Sequence, residues 1–272
     1  MDLAVQRIER VQIAPAETRP RRLHRFPALR ESRCILAVQF RQFGKELVVS
    51  HGLLIGGVLK GQELIESSRL NNVATQYNSF LSAVNTFQDK YQALSGDLAQ
   101  AQATARIPNC NAGNFCSDVA SNGDGIIGAN NAAAAVAIAA GTENRAFWQH
   151  LSKSNLITAV QESGDTFGQR YPAARTGGGW QVQSSTINTT TGHWFRLFQA
   201  TTAVAAPNTT AGIQALSPNQ AATLDRKIDD GLPQSGNVQT AATSSVAANC
   251  NAAAGYLEAI TSKDCNLYFK MN

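Results

Sequence analysis

The longest regular pattern of apolar and polar positions runs from Gly52 to Leu94. From Leu70 onward the apolar residues are Leu70, Val73, Tyr77, Phe80, Leu81, Val84, Phe87, Tyr91 and Leu94. Steps of three and four fit a 3.6-residue turn and not the two-residue period of a strand. No proline interrupts the stretch, so it predicts one amphipathic helix of 43 residues, roughly 65 Å long at about 1.5 Å per residue. A helix far longer than the globular average must project beyond a single small domain. Its halves differ in kind. Leu53 to Leu59 is apolar all round and holds the Gly56-Gly57 pair, which weakens the helix locally, whereas the part after Lys60 has one apolar stripe and a polar face. The first half suits lipid or other helices, and the second suits a domain to lean on.

Beyond that helix the pattern shortens. Ser95-Gly96-Asp97 predicts a turn, with Asp97 capping a short helix that runs through Thr104. Residues 105–130 read as a loop, and Ala129 to Gly141 as an Ala-rich, loosely helical stretch. Phe147, Trp148 and Leu151 fall at helical spacing behind Glu143, which predicts a second helix packed on the core through Trp148. Two β-rich runs, Trp180-Gln181-Val182 and His193 to Phe198, are bounded by glycines and read as an antiparallel pair. A further helix is predicted at 217–231: Ser217 is the N-cap, Pro218 opens the first turn, Ala221, Leu224 and Ile228 keep the period, and Gly231 ends it. Val238 to Ala241 and Cys265 to Lys270 supply the last strands. The class is α+β, a long N-terminal helix packed on a small antiparallel-sheet head. Its segments are 1–51, the helix 52–95 and the head 96–272.

Composition refines this picture in two respects. Apolar residues make up 43% of the chain but aromatics only 7%, which points to one modest core with long loops. The net charge of +4 is uneven: residues 1–44 carry nine Arg, no Lys and four acids, and the rest carries fourteen bases against fifteen acids. The folded part is thus nearly neutral, and nucleic acid finds no electrostatic footprint on it. Of the five cysteines, Cys110/Cys116 and Cys250/Cys265 lie close in sequence in loop-rich surroundings, as in an exported domain with short disulfides, while Cys34 stands alone. The other readings are reduced thiols in a cytosolic protein and a zinc site; the second lacks both CxxC spacing and a nearby histidine.

The stretch GLLIGGVLKGQELIESSRLNNVATQYNSFLSAVNTFQDKYQAL, followed by SGDL, resembles the N-terminal helix of type IV pilin-like proteins, the prepilins and the pseudopilins of type II secretion. In that family the helix ends in a Pro-Gly-Asp turn, and Ser95 stands here in place of the proline. NGDGIIG at 122–128, ENRAFWQHLSKSNLI at 143–157, LSPNQAATLDRKIDDGLPQSGNV at 216–238 and KDCNLYFK at 263–270 resemble the globular part of one subgroup. The resemblance implies a pilin-like fold and a structural subunit, not an enzyme. Its precursor would sit in the inner membrane of a Gram-negative bacterium with the head in the periplasm. It would then join other pilin-like subunits, through a pilus or secretion assembly machinery, in a periplasmic or cell-surface filament. Close packing in the filament core would run through small residues such as Gly52, Gly56 and Gly57. A soluble exported binding module or adhesin on the same head is the alternative.

The start departs from the family pattern. There a basic leader ends in a glycine, where the precursor is cut and methylated, and an apolar helix of about twenty residues follows with a glutamate at its fifth position. Here Gly44 is the glycine, Glu46 comes second after it, and Ser50 and His51 interrupt the apolar run. Residues 1–51 show no sustained period. They read as a degenerate anchor, as a disordered basic tail, or as out-of-frame translation of an ordinary prepilin start, in which case Gly44 is no cleavage site. The abrupt change in Arg and Lys usage where the resemblance begins is what a shifted frame in GC-rich DNA would produce.

Chemistry-bearing motifs are sparse. Asn122-Gly123-Asp124-Gly125 invites a calcium reading with Asn122 and Asp124 as ligands, but the EF-hand template would put ligands at 120 and 131, which are Ala and Asn. A plain tight turn is the simpler expectation. The four histidines form no metal spacing, and no GxSxG, P-loop or GxGxxG motif occurs. His150 reads as a hydrogen-bonded structural residue. Asp225, Asp229 and Asp230, interleaved with Arg226 and Lys227, read as a solvated face with an aspartate bonding into the next loop.

Overall fold

The computed structural model describes residues 32–117, 121–128, 143–158, 160–203, 205, 210–241, 247–252 and 255–271, with the side chains of the first helix described from Gly56 onward. The Ala-rich stretch expected to be helical at Ala129 to Gly141 lies outside the described residues. The chain divides into two compact units, Met1–Val58 and Leu59–Asn272. In the first, the described backbone is helical.

Helix α1 spans Ser32–Tyr91, so helix begins twenty residues before the Gly52 expected from the pattern. No proline follows Pro27 in this segment, and Leu36, Ala37, Gln39, Arg41, Gln42, Lys45, Glu46 and Leu47 are among the better helix formers. Helical propensity suffices there without an amphipathic stripe. Among the described residues no helix is long and apolar enough to cross a membrane.

After α1 come α2 (Gln100–Arg106), α3 (Glu143–Lys153), β1 (Gly179–Ile187), β2 (Thr190–Phe198), α4 (Pro218–Ile228), β3 (Val238–Gln239), α5 (Ala247–Cys250), β4 (Asn251–Ala252), β5 (Gly255–Tyr256) and β6 (Leu267–Lys270). The main sheet runs β1-β2-β6-β3, antiparallel throughout. Its register aligns Val182 with Phe195, Phe195 with Phe269 and Phe269 with Val238, making one apolar row across four strands.

That row receives the stripe of α1. Leu70, Val73, Tyr77, Phe80, Val84, Phe87 and Tyr91 are all buried, each worth about 1.5–3 kcal/mol if fully removed from water. Tyr77 packs on Phe269 and Phe195, and Phe80 meets Trp148, Trp180 and Phe195 at ring separations of 4.9, 5.6 and 6.0 Å. The opposite face is covered as well: Ile187, Trp194, Ala241 and Tyr268 form a second apolar cluster. A sheet buried on both faces has no wet side, which is why β1 carries little alternation.

Helix α4 starts as its sequence predicts: the Ser217 side chain accepts the Gln220 N–H while the Gln220 side chain accepts the Ser217 N–H, and Pro218 sits at the first turn. Helix α2 does not. Its N-cap is Ala99, which makes no side-chain bond, because the Asp97 carboxylate is engaged elsewhere. Disulfides join Cys110 to Cys116 and Cys250 to Cys265. The second ties the end of α5 to Cys265, two residues before β6.

Candidate functional site

The most concentrated polar chemistry lies where α1 hands over to the head. Gln92 takes a left-handed conformation (φ 55°) directly after α1, and the turn that follows is locked onto α3. Ser95 Oγ donates to the Phe147 carbonyl at 2.7 Å, and the Gly96 N–H donates to His150 Nδ1 at 2.9 Å. Gly96 has φ 93°, and a Cβ there would lie 2.7 Å from the Glu143 carbonyl oxygen. Only glycine fits so close an approach at positive φ.

Asp97 then reaches across to the glycine-rich turn. Its Oδ1 accepts the N–H groups of Gly123 and Asp124 at 2.9 and 3.0 Å, and its Oδ2 accepts that of Gly125 at 2.9 Å. Glu143, at the start of α3, accepts the N–H of Asn122 at 3.3 Å and of Gly128 at 2.6 Å. Asn122 and Asp124 close on each other, Asn122 Nδ2 donating to Asp124 Oδ2 and Asn122 Oδ1 accepting the Asp124 N–H. His193 Nε2 accepts the Ile127 N–H at 3.2 Å.

Three carboxylates are thereby gathered: Asp97, Asp124 and Glu143 each place an oxygen within 4.8 Å of the others. Burial, then the charges of Asp97 and Asp124, push Glu143 up to about 7 against its two peptide donors. Burial also raises Asp97, against its three donors. A calcium site presents carbonyl and carboxylate oxygens to the ion. Here the Asp97 and Glu143 oxygens face five backbone N–H groups, so the cluster works as a staple that fixes the turn to α1 and α3. Of the sequence candidates, Asp124 belongs to the cluster and Asn122 braces it. Asp97 and Glu143 were missed because they lie outside the loop on either side, where no local spacing reveals them.

The second acidic group acts in the same manner. Asp225 is buried, accepting the Tyr256 hydroxyl at 2.7 Å and the Gly231 N–H at 3.2 Å. Burial raises it to about 6, and Asp230 and Asp229 add to the rise. Asp229 accepts the N–H groups of Asn237 and Val238, and Asp230 that of Leu232. These carboxylates shape the loop from α4 to β3.

His150 is fully buried, stacked on Phe87 at 5.7 Å. Its Nε2 donates to the Cys116 carbonyl at 2.6 Å while Nδ1 accepts from Gly96. Both nitrogens are used, and burial pushes the ring down to about 4. The Cys110 and Cys116 sulfurs beside it are bonded to each other, which leaves neither as a thiolate ligand.

The assembly candidates lie on α1. Gly44, Glu46 and Gly52 fall in the part whose side chains lie outside the described residues. Gly56 and Gly57 have open space where a Cβ would stand, and Val58 is exposed. In the second unit Leu59, Leu64 and Ile65 are 57%, 64% and 56% exposed, beside Gly61, which is equally open. They are large apolar side chains on the very helix whose later turns are buried from Leu70 to Tyr91. Compared with family models, curated proteins and solved structures, the chain matches none of them.

Proposed function

We propose that the chain is a structural subunit of a type IV pilus or type II secretion pseudopilus, assembled into a filament through α1. The observation that carries this reading is the exposed apolar surface of Leu59, Leu64 and Ile65 on a helix that elsewhere buries its apolar stripe. Such surface on a folded chain marks a contact with lipid or protein. The resemblance of residues 52–97 to the pilin helix gives the contact its identity: the inner membrane in the precursor, neighbouring subunits in the filament, and the assembly machinery between them. Gly52, Gly56 and Gly57 permit close helix approach; Glu46 would pair with a neighbour's amino terminus only if residues 1–51 are in frame, and its place second after Gly44, not fifth, argues against that role. The acidic turn and the disulfides hold the head rigid on its helix, which suits a building block better than a catalyst.

The test is a double substitution, Leu64→Glu with Ile65→Glu, in the full chain expressed with its assembly machinery. Both side chains are exposed, so the unfolding free energy should stay within about 0.5 kcal/mol of wild type, while recovery in sheared filaments should fall at least tenfold. Unchanged recovery sinks the reading. The second reading, an exported binding module, is favoured by a groove of about 640 Å³ between α1 and the 156–175 loops, lined by Gln76, Ser79, Leu156, Pro172 and Arg175. A wild-type chain that stays out of membranes and filaments and captures a ligand in that groove would establish it.

A further inference from the structure

Beside α3 lies a charge cluster that the assembly reading does not use. Arg145 Nη2 and Arg170 Nη1 both donate to Asp165, one to each carboxylate oxygen, at 2.9 and 2.6 Å. Their side chains are only 11% and 3% exposed. The Phe115 ring lies over the Arg170 guanidinium at 4.0 Å, with Arg145 at 5.8 Å. The fully buried Tyr171 hydroxyl sits beside Arg145, and its ionisation is pushed up by burial.

Two features of this group are unbalanced. Two guanidiniums share one carboxylate, itself 34% exposed, so among the described residues one of the two positive charges has no carboxylate of its own. Among the described residues three buried donors also lack an acceptor: Arg145 Nε, Arg170 Nε and the Tyr171 hydroxyl. A buried charge without a partner, and buried donors without acceptors, each cost several times what an exposed one does.

We infer that the Arg145–Asp165–Arg170–Tyr171 cluster holds a small monovalent anion of the chloride class. The occupant must be small because the donors are buried, must carry one negative charge to balance the second guanidinium, and needs only to accept, since N–H and O–H groups are what remain unsatisfied. Chloride meets all three conditions. A water molecule would meet the donors and leave the charge.

The experiment is thermal unfolding of the full chain in sodium chloride and in sodium gluconate at equal ionic strength, with bromide soaked into crystals. A specific anion stabilises by mass action, so the midpoint should rise with chloride concentration and not with gluconate, and bromide should give an anomalous peak between the three donors. Tyr171→Phe removes one donor while leaving the ion pairs, and should weaken the chloride dependence several-fold; Thr75→Ala, on the exposed face of α1, should leave it unchanged. Equal midpoints in the two salts, or a chloride response retained in full by Tyr171→Phe, would overturn the inference and assign the donors to water.

Discussion

The Gly96 N–H donates to His150 Nδ1 at 2.9 Å, so the turn that ends the long helix is held by a neutral imidazole in the middle of α3. A protonated ring could not accept that bond. The folded-state pKa of about 4, against an ordinary 6.5, makes the His150 contribution complete above pH 6.5 and lost as pH falls towards 4. His150→Gln should cost about 2–4 kcal/mol at neutral pH through lost packing and bonds. It should also flatten the urea midpoint between pH 6.5 and 4 relative to wild type. Parallel curves would show that the ring does not titrate with folding.

Glu143 works in the opposite direction. Its folded pKa of about 7 lies above the ordinary 4.5, so the stability it contributes is complete below 4.5 and lost as pH rises through 7. Asp225, raised to about 6 from 3.8, has the same sign in a lower window. The Glu143 contribution should therefore fall away between pH 4.5 and about 7, against a His150 contribution of opposite sign below 6.5, and Glu143→Gln should remove most of the Glu143 share of that slope. At pH 6 the variant should be weaker by about 1–2 kcal/mol, since one amide oxygen cannot accept from both Asn122 and Gly128. A slope left intact in the variant would place the titration elsewhere.

The stripe from Leu70 to Tyr91 was legible in the sequence because its contacts obey a local period, and every one of its large apolar residues from Leu70 through Val84 and Phe87 except Leu81 is buried. The start of α4 was legible for the same reason, Ser217 and Gln220 being three residues apart. Asp97 was not. By position it reads as a cap for α2, yet three peptide donors of a turn 26 to 28 residues away claim its carboxylate. Nor does any spacing connect Asp97 to Glu143, or Arg145 to Arg170, since such pairs are made by the path of the chain and not by a repeat. The helical backbone from Ser32 to His51 was hidden for a different reason: helix-forming residues without an amphipathic stripe leave no pattern to read.

The two disulfides close loops of unequal length, six and fifteen residues in sequence separation. On a chain-entropy account they stabilise by about 2 and about 3 kcal/mol. Replacing Cys250 and Cys265 by Ser should thus lower the urea midpoint more than replacing Cys110 and Cys116. Replacing the Cys110/Cys116 pair should still perturb His150, whose Nε2 donates to the Cys116 carbonyl. Its removal should make the chain more sensitive to acid below pH 6, a change the Cys250/Cys265 variant should not show.

Gln76 links the polar edge of α1 to the sheet. Its Oε1 accepts the Trp180 indole N–H at 3.0 Å and its Nε2 donates to the Ala173 carbonyl at 3.1 Å. Trp180 is fully buried against Phe80 and Phe269, so the indole N–H has no water to turn to. Gln76→Leu keeps the bulk and deletes both bonds; it should cost about 1–3 kcal/mol, the penalty of a buried donor left unmade. Gln76→Glu keeps the acceptor and should recover most of the Trp180 term while losing the Ala173 bond. The two variants, compared by denaturant midpoint and Trp fluorescence, separate the contributions. If both lose equally, the bond to Ala173, and not the one to Trp180, is what holds the helix edge to the sheet.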